Sequence, residues 1–303
     1  MSVVIPPLLS SIKEEFPDLE IEIWEQTGRN TLPKTKDHCR FYVPGYMSGR
    51  SSIMISNQMP QIEVVQLLTA GVDGVRSLIP QSATLCNAKG VHDASTAELA
   101  VALALNARRG LDGFHKKQMR GVWQPKTYPS LADSKVLIVG YGSIGAALER
   151  RLLPFEVEIT RVTRRARQGT HEVTDLLKLL PDADVVFLLV PLTPETEGFY
   201  NAAMFEAMKP GSVLVNVARG PVVDTKDLLN ALKVGKIFAA IDVVDPEPLP
   251  PDHPLWTMDN CIVTPHIGGN STAFYKRAHQ LVMENLARFI SHEPLLNVIS
   301  GEY

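Results

Sequence analysis

Apolar residues recur along this chain in short unbroken runs, separated by glycine-marked polar gaps and by longer stretches of helical spacing. Runs at 19–24, 40–43, 62–68 and 83–87, and again at 136–139, 157–163, 185–190, 213–216, 237–242 and 261–264, predict β-strands. Runs that are apolar at consecutive positions suit strands covered on both faces, as in a parallel sheet. Helical patterns at 7–16, 93–108, 173–180, 201–208, 224–234 and 270–290 fall among them. This βα alternation predicts an α/β protein with parallel sheets. Helix 93–108 is mostly alanine and leucine after Asp93 and Ser95, either of which can cap it, so it is expected to be buried. Residues 110–134 are polar and aromatic and predict an arm or a lining of the cleft, with Trp123 a candidate subunit contact.

One segment carries more chemistry than the rest. The run Val136-Leu137-Ile138-Val139 enters Gly140-Tyr141-Gly142-Ser143-Ile144-Gly145, and a helical stretch and a second strand follow. This is G-x-G-x-x-G in its required setting of strand, turn and helix. Gly140 permits the tight turn, Gly142 lets a pyrophosphate approach the backbone, and Gly145 lets the helix pack on the strand. The helix N-terminus then offers N–H groups and a partial positive charge to phosphates. A dinucleotide is the expected cofactor. At the end of the second strand, where an acid would bind a ribose 2′-hydroxyl, stand Thr163, Arg164 and Arg165. Two arginines and no carboxylate favour a 2′-phosphate, hence NADP over NAD.

Bulk properties narrow the remaining choices. A chain of 303 residues, 45% hydrophobic and 21% charged, is expected to form two globular domains. A net charge of −3 gives no electrostatic case for nucleic acid or an anionic membrane. No apolar run is long enough to span a bilayer. Val3-Val4-Ile5 and Leu8-Leu9 lie near the start, but Pro6, Pro7 and the absence of an early basic region argue against a signal peptide. Three scattered cysteines suit reduced thiols of the cytoplasm, and no ligand spacing of histidines predicts a metal.

Ligands of doubly wound sheets sit beyond the carboxyl ends of the strands. Four such ends here carry unusual residues: 190–193, 216–220, 242–248 and 264–269. An arginine (Arg219), carboxylates (Asp242, Asp245, Glu247) and a histidine (His266) thus converge beside a dinucleotide. That set suffices for carbonyl reduction. Arg219 can bind a carboxylate with both arms. His266 can hand over a proton, and an adjacent carboxylate can fix its tautomer. Spacing alone leaves open which of the three acids is that partner.

The motifs LLTAGVDGV (67–75), STAELAVAL (95–103), VGYGSIG (139–145), LLVPLTPET (188–196), LVNVARGPVVD (214–224), AIDVVDPEPLPPDHPLW (240–256) and VTPHIGG (263–269) together resemble the D-isomer-specific 2-hydroxyacid dehydrogenase family. That family includes glyoxylate/hydroxypyruvate reductases and phosphoglycerate dehydrogenases. The resemblance implies two doubly wound parallel-sheet domains. One is a Rossmann dinucleotide domain at 104–269; the other is a discontinuous flavodoxin-like substrate domain at 1–103 plus 270–303. It implies that Arg219 binds substrate, that Glu247 is the acid paired with the catalytic His266, and that Ala70 and Gly71 hold the substrate carboxylate through their amides. Val190, Pro191, Val217, Ala218, Asp242 and Gly268 would line the cofactor path beside Ser143 and Ile144. The implied reaction is NAD(P)H-dependent reduction of a small 2-oxoacid to a D-2-hydroxyacid, and its reverse, by a homodimer. Phosphoglycerate dehydrogenase and an NAD(H)-sensing corepressor-like protein are the rival readings. The loop after 40–43 offers Tyr46 and Met47 to the substrate and no arginine before Arg50, which disfavours a phosphorylated substrate.

Overall fold

The computed structural model describes residues 1–26 and 31–299. They form two compact units, Met1–His92 with Thr272–Tyr303, and Asp93–Ser271. The boundaries thus fall at 92/93 and 271/272, rather than at 103/104 and 269/270. Residues 93–109 are one continuous helix and stay together in the second unit.

In the first unit the strands are β1 (Ser2–Ile5), β2 (Glu20–Ile23), β3 (Cys39–Tyr42), β4 (Val64–Gln66) and β5 (Thr84–Cys86), with short helices α1 (Ile12–Glu15) and α2 (Arg50–Met54). They make one parallel sheet in the order β2-β1-β3-β4-β5, the flavodoxin-like order. Strand β1, absent from the sequence expectation, is an inner strand between β2 and β3 and is wholly buried. Four residues before two prolines leave too short a run for periodicity to register. Side chains alternate across the sheet. Val3 and Ile5 join one apolar layer with Phe41, Val64 and the C-terminal helix Ala273–Ile290, while Val4 joins the opposite layer with Tyr42 and Val65. That helix turns Phe274, Ala278, Val282 and Leu286 inward at helical spacing. Its tail returns to pair Val298 antiparallel with Cys86.

The second unit begins with the long helix α3 (Asp93–Arg109) and α4 (Leu111–Gln118), so part of the expected arm is helical. Then follow β6 (Lys135–Val139), α5 (Ser143–Leu152), β7 (Glu158–Thr163), β8 (His171–Glu172), α6 (Leu176–Leu179), β9 (Val185–Leu188), α7 (Ala202–Ala207), β10 (Val213–Asn216), α8 (Thr225–Lys233), β11 (Phe238–Ile241) and β12 (Cys261–Val263). The seven strands are parallel in the order β12-β11-β10-β9-β6-β7-β8. Counted from β6, this is the Rossmann order, with its switch between β6 and β9. Alternation again builds two layers. Val136, Ile138, Val185 and Phe187 pack with α3 and α5; Leu137, Val139, Val186 and Leu188 pack on the other side. No described helix is long and apolar enough to cross a membrane.

Candidate active site

The turn from β6 into α5 shows why three glycines stand there. Gly140 has φ +102°, and a Cβ on it would lie 2.6 Å from the Leu189 carbonyl carbon at the end of β9. A Cβ on Gly145 would lie 2.8 Å from the Gly140 oxygen and 3.5 Å from Ile138 Cγ2, so the helix can seat on the strand only without one. Gly142, the N-cap residue of α5, is different: a Cβ there would meet nothing within 4 Å. Its conformation, φ −92° and ψ −154°, suits any residue, so the fold does not demand this glycine. The space beside it, at the N-terminus of a ten-residue helix, suits the pyrophosphate of a dinucleotide. At the same place Ser143 donates its hydroxyl to Asp93, 3.2 Å away.

The loop that follows β7 is tightly built. The Thr163 hydroxyl donates to the Arg165 carbonyl at 2.8 Å and meets the Thr170 hydroxyl at 2.9 Å, while Arg167 N donates to Thr170 Oγ1 at 3.0 Å. Arg164 and Arg165 are exposed, and Arg164 stands 3.8 Å from Glu195. Arg167, which sequence reasoning passed over, reaches back to donate to the Tyr141 carbonyl within the glycine turn. Its guanidinium also lies 5.8 Å from the centre of the Tyr141 ring, and that of Arg161 5.6 Å from it. Arg161 in turn is paired through two hydrogen bonds with Glu149 of α5. That guanidinium holds the Glu149 carboxyl below the ordinary carboxylate range. The same Glu149 raises the Tyr141 phenol above its usual value. Turn, helix and second strand are therefore cross-linked by charge. No periodicity could have signalled these pairings, because they join residues on three separate elements.

Arg219, Glu247 and His266 come from three neighbouring strands, just beyond the ends of β10, β11 and β12. Asn216 brackets the arginine turn: its side chain donates to the Arg219 carbonyl at 3.1 Å and accepts from Ala218 N at 3.0 Å. The next residue, Gly220, is in such close contact that a Cβ would sit 1.8 Å from the Val244 oxygen. This close approach sets the arginine turn against the loop that leads to Glu247. His266 has φ +52°, a left-handed conformation costly for a residue with a Cβ. It persists because Asp242 clamps the turn around it. The Asp242 carbonyl accepts from His266 N at 2.8 Å, and its carboxylate accepts from Ile267 N at 2.9 Å, Gly268 N at 2.7 Å and the Thr264 hydroxyl. With the ring so turned, His266 Nδ1 meets Glu247 Oε1 at 2.8 Å. Of the three acids left open by spacing, Glu247 is the one on the imidazole. Both side chains remain more than a third exposed.

The other residues singled out from the sequence lie as follows. Val217, Ala218 and Gly268 are buried at strand ends, Val190 is half-buried, and Pro191 is exposed. In the first unit, Ala70 and Gly71 follow β4. Tyr46 stacks on His92 and meets Phe274 in a tilted ring contact, and Met47 is exposed at φ +57°. Trp123 is 98% exposed.

Residues 101–268 match the model of the D-isomer specific 2-hydroxyacid dehydrogenase NAD binding domain. A glyoxylate reductase of Thermofilum pendens is 34% identical over 310 residues, 96% of this chain and 90% of its own. The crystal structure of a family member from Xanthobacter autotrophicus Py2 in complex with NADPH and MES has a TM-score of 0.83 at 28% identity, covering 99% of this chain and 98% of that one. An NADPH-dependent glyoxylate/hydroxypyruvate reductase from Sinorhizobium meliloti, in complex with NADP and sulfate, gives 0.84 at 26% identity, with coverage of 99% and 98%. The chain belongs to the D-isomer specific 2-hydroxyacid dehydrogenase family, a family of NAD(P)-dependent oxidoreductases.

Proposed function

We infer that this protein reduces a small 2-oxoacid of the glyoxylate or hydroxypyruvate kind to the D-2-hydroxyacid, with NADPH preferred to NADH, and catalyses the reverse oxidation. The observation that carries this reading is the His266–Glu247 pair at 2.8 Å, held on a strained turn beside the Arg219 strand end. When bound, the reduced nicotinamide supplies the hydride. The glycine turn with Ser143 and Ile144 would hold the pyrophosphate, and Arg164 and Arg165 would meet a 2′-phosphate. The exposure of both arginines and the absence of an acid at the end of β7 support that preference. Glu195 is the nearest competing carboxylate, and at 3.8 Å in the open its pair with Arg164 is weak.

Arg219 would grip the oxoacid and draw charge from its carbonyl oxygen, with the Ala70 and Gly71 amides on the carboxylate. Glu247 fixes the Nδ1–H of His266, which leaves Nε2 to pass a proton to the oxygen as it becomes an alkoxide. The proton is then regained from solvent, so one 2-oxoacid, one reduced cofactor and one proton give one hydroxyacid and one oxidised cofactor. The exposed Trp123, with Met119 and Val122 nearby in sequence, supports assembly as a homodimer.

Oxidation of NADPH with glyoxylate, hydroxypyruvate and 3-phosphohydroxypyruvate tests the assignment. Turnover is expected with the first two and little with the third. Turnover confined to the phosphorylated acid would make the protein a phosphoglycerate dehydrogenase, and none with any 2-oxoacid would favour a binding protein.

A further inference from the structure

The segment after β4 has its carbonyl oxygens committed one after another. His92 Nε2 lies 2.8 Å from the Leu68 oxygen, and Ala88 N donates to the Thr69 oxygen at 2.8 Å. The Asn87 side-chain amide donates to the Ala70 oxygen at 2.7 Å, and the Thr69 hydroxyl donates to the Gly71 oxygen at 3.0 Å. A trans peptide holds its C=O and N–H in opposite directions. Anchoring a carbonyl therefore aims the next residue's N–H the other way. His92 aims the amide of Thr69, Ala88 that of Ala70, and Asn87 that of Gly71.

The anchors are themselves fixed. Asn87 is buried; its Oδ1 accepts from Lys89 N at 3.1 Å and its carbonyl accepts from Gln66 Nε2 at 3.1 Å. Gln66 in turn accepts from the fully buried Asn285, whose Oδ1 accepts from Leu296 N at 2.8 Å. His92 lies against Tyr46 and Phe274, with ring centres 5.7 and 5.3 Å away. Such a relay of buried amides would be costly if it ended on nothing. It ends on the backbone of residues 68–71.

We propose that Asn87 and His92 are positioning residues for substrate: they hold the carbonyl oxygens of Ala70 and Leu68 and so aim the amides of Gly71 and Thr69 at an incoming carboxylate. Four outward carbonyls would repel that anion; the anchored loop withdraws them. The proposal rests on the reading that the Ala70 and Gly71 amides hold the substrate carboxylate.

The test uses Asn87→Asp, which keeps the shape and replaces the donor by an oxygen, and His92→Phe, which keeps an aromatic ring against Tyr46 and Phe274 and removes the donor. KM for hydroxypyruvate, kcat, the inhibition constant of oxamate and the dissociation constant of NADPH are measured for each. KM and the oxamate constant should rise together by about tenfold, with kcat and NADPH affinity changed less than about twofold. Unchanged KM in both variants, or parallel loss of kcat and NADPH affinity, would overturn the proposal. Gly71→Pro, which removes the amide itself, separates the two ideas. If it raises KM while Asn87→Asp and His92→Phe do not, only the positioning role fails; if KM is unmoved in all three, the carboxylate reading fails with it.

Discussion

Glu247 Oε1 lies 2.8 Å from His266 Nδ1, although they stand 19 positions apart in the chain and the histidine must adopt φ +52° to get there. Asp242 makes this possible without touching the imidazole. Its carboxylate takes two backbone amides and one hydroxyl from the turn that carries His266. A strained residue survives where its surroundings over-determine it, and here a buried aspartate provides that constraint.

The glycines of the first turn should separate fold from function. Gly140→Ala places a Cβ into the β9 backbone at φ +102° and is expected to destabilise by several kcal/mol, about 3 or more. Gly142→Ala meets only open space, so its melting temperature should stay near that of the parent while NADPH affinity falls by about tenfold. Calorimetry and cofactor titration of the two variants give the comparison.

Arg164→Ala/Arg165→Ala should shift cofactor choice rather than abolish turnover. Losing the charge-assisted contacts to a 2′-phosphate lowers kcat/KM with NADPH by about tenfold or more and leaves NADH nearly unchanged. An unaltered NADPH-to-NADH ratio would remove the pair from phosphate recognition.

Gly220→Ala forces the ends of β10 and β11 apart, since its Cβ would fall 1.8 Å from the Val244 oxygen. Displacement of Arg219 from Glu247 by even an ångström should reduce kcat/KM about 10²-fold. NADPH titration of the same variant shows whether the cofactor turn survives.

Glu149 sets an acid limit on the dinucleotide unit. Its carboxyl is held below the ordinary range by Arg161, so it contributes stability above its unfolded value, about 4.3. That contribution is lost as pH falls through the lower folded value. Glu149→Gln should therefore cost about 2 kcal/mol at pH 7 and progressively less towards pH 3, read from thermal unfolding across that window.

Much of this arrangement is legible in the sequence because sterics and burial leave few options. Val136-Leu137-Ile138-Val139 is apolar on both faces and can only be an inner strand; Gly140 and Gly145 are where a Cβ has no room. The rest depends on contacts across elements. Spacing could not choose among Asp242, Asp245 and Glu247, because the choice is made by the Asp242 clamp on His266. Strand β8, two residues of a sheet edge, and β1, four residues ahead of two prolines, are too short for a period to declare itself. Arg167 and Asn87 are polar residues in loops, and only folding shows that one returns to Tyr141 and the other to Ala70.

The most direct test of the account is the turnover of His266→Ala with hydroxypyruvate and NADPH. Removal of the proton donor should lower kcat by about 10²–10⁴-fold while the dissociation constant of NADPH stays within about twofold of the parent. Near-parental turnover with intact cofactor binding would take His266, and with it the Glu247 pair, out of the mechanism.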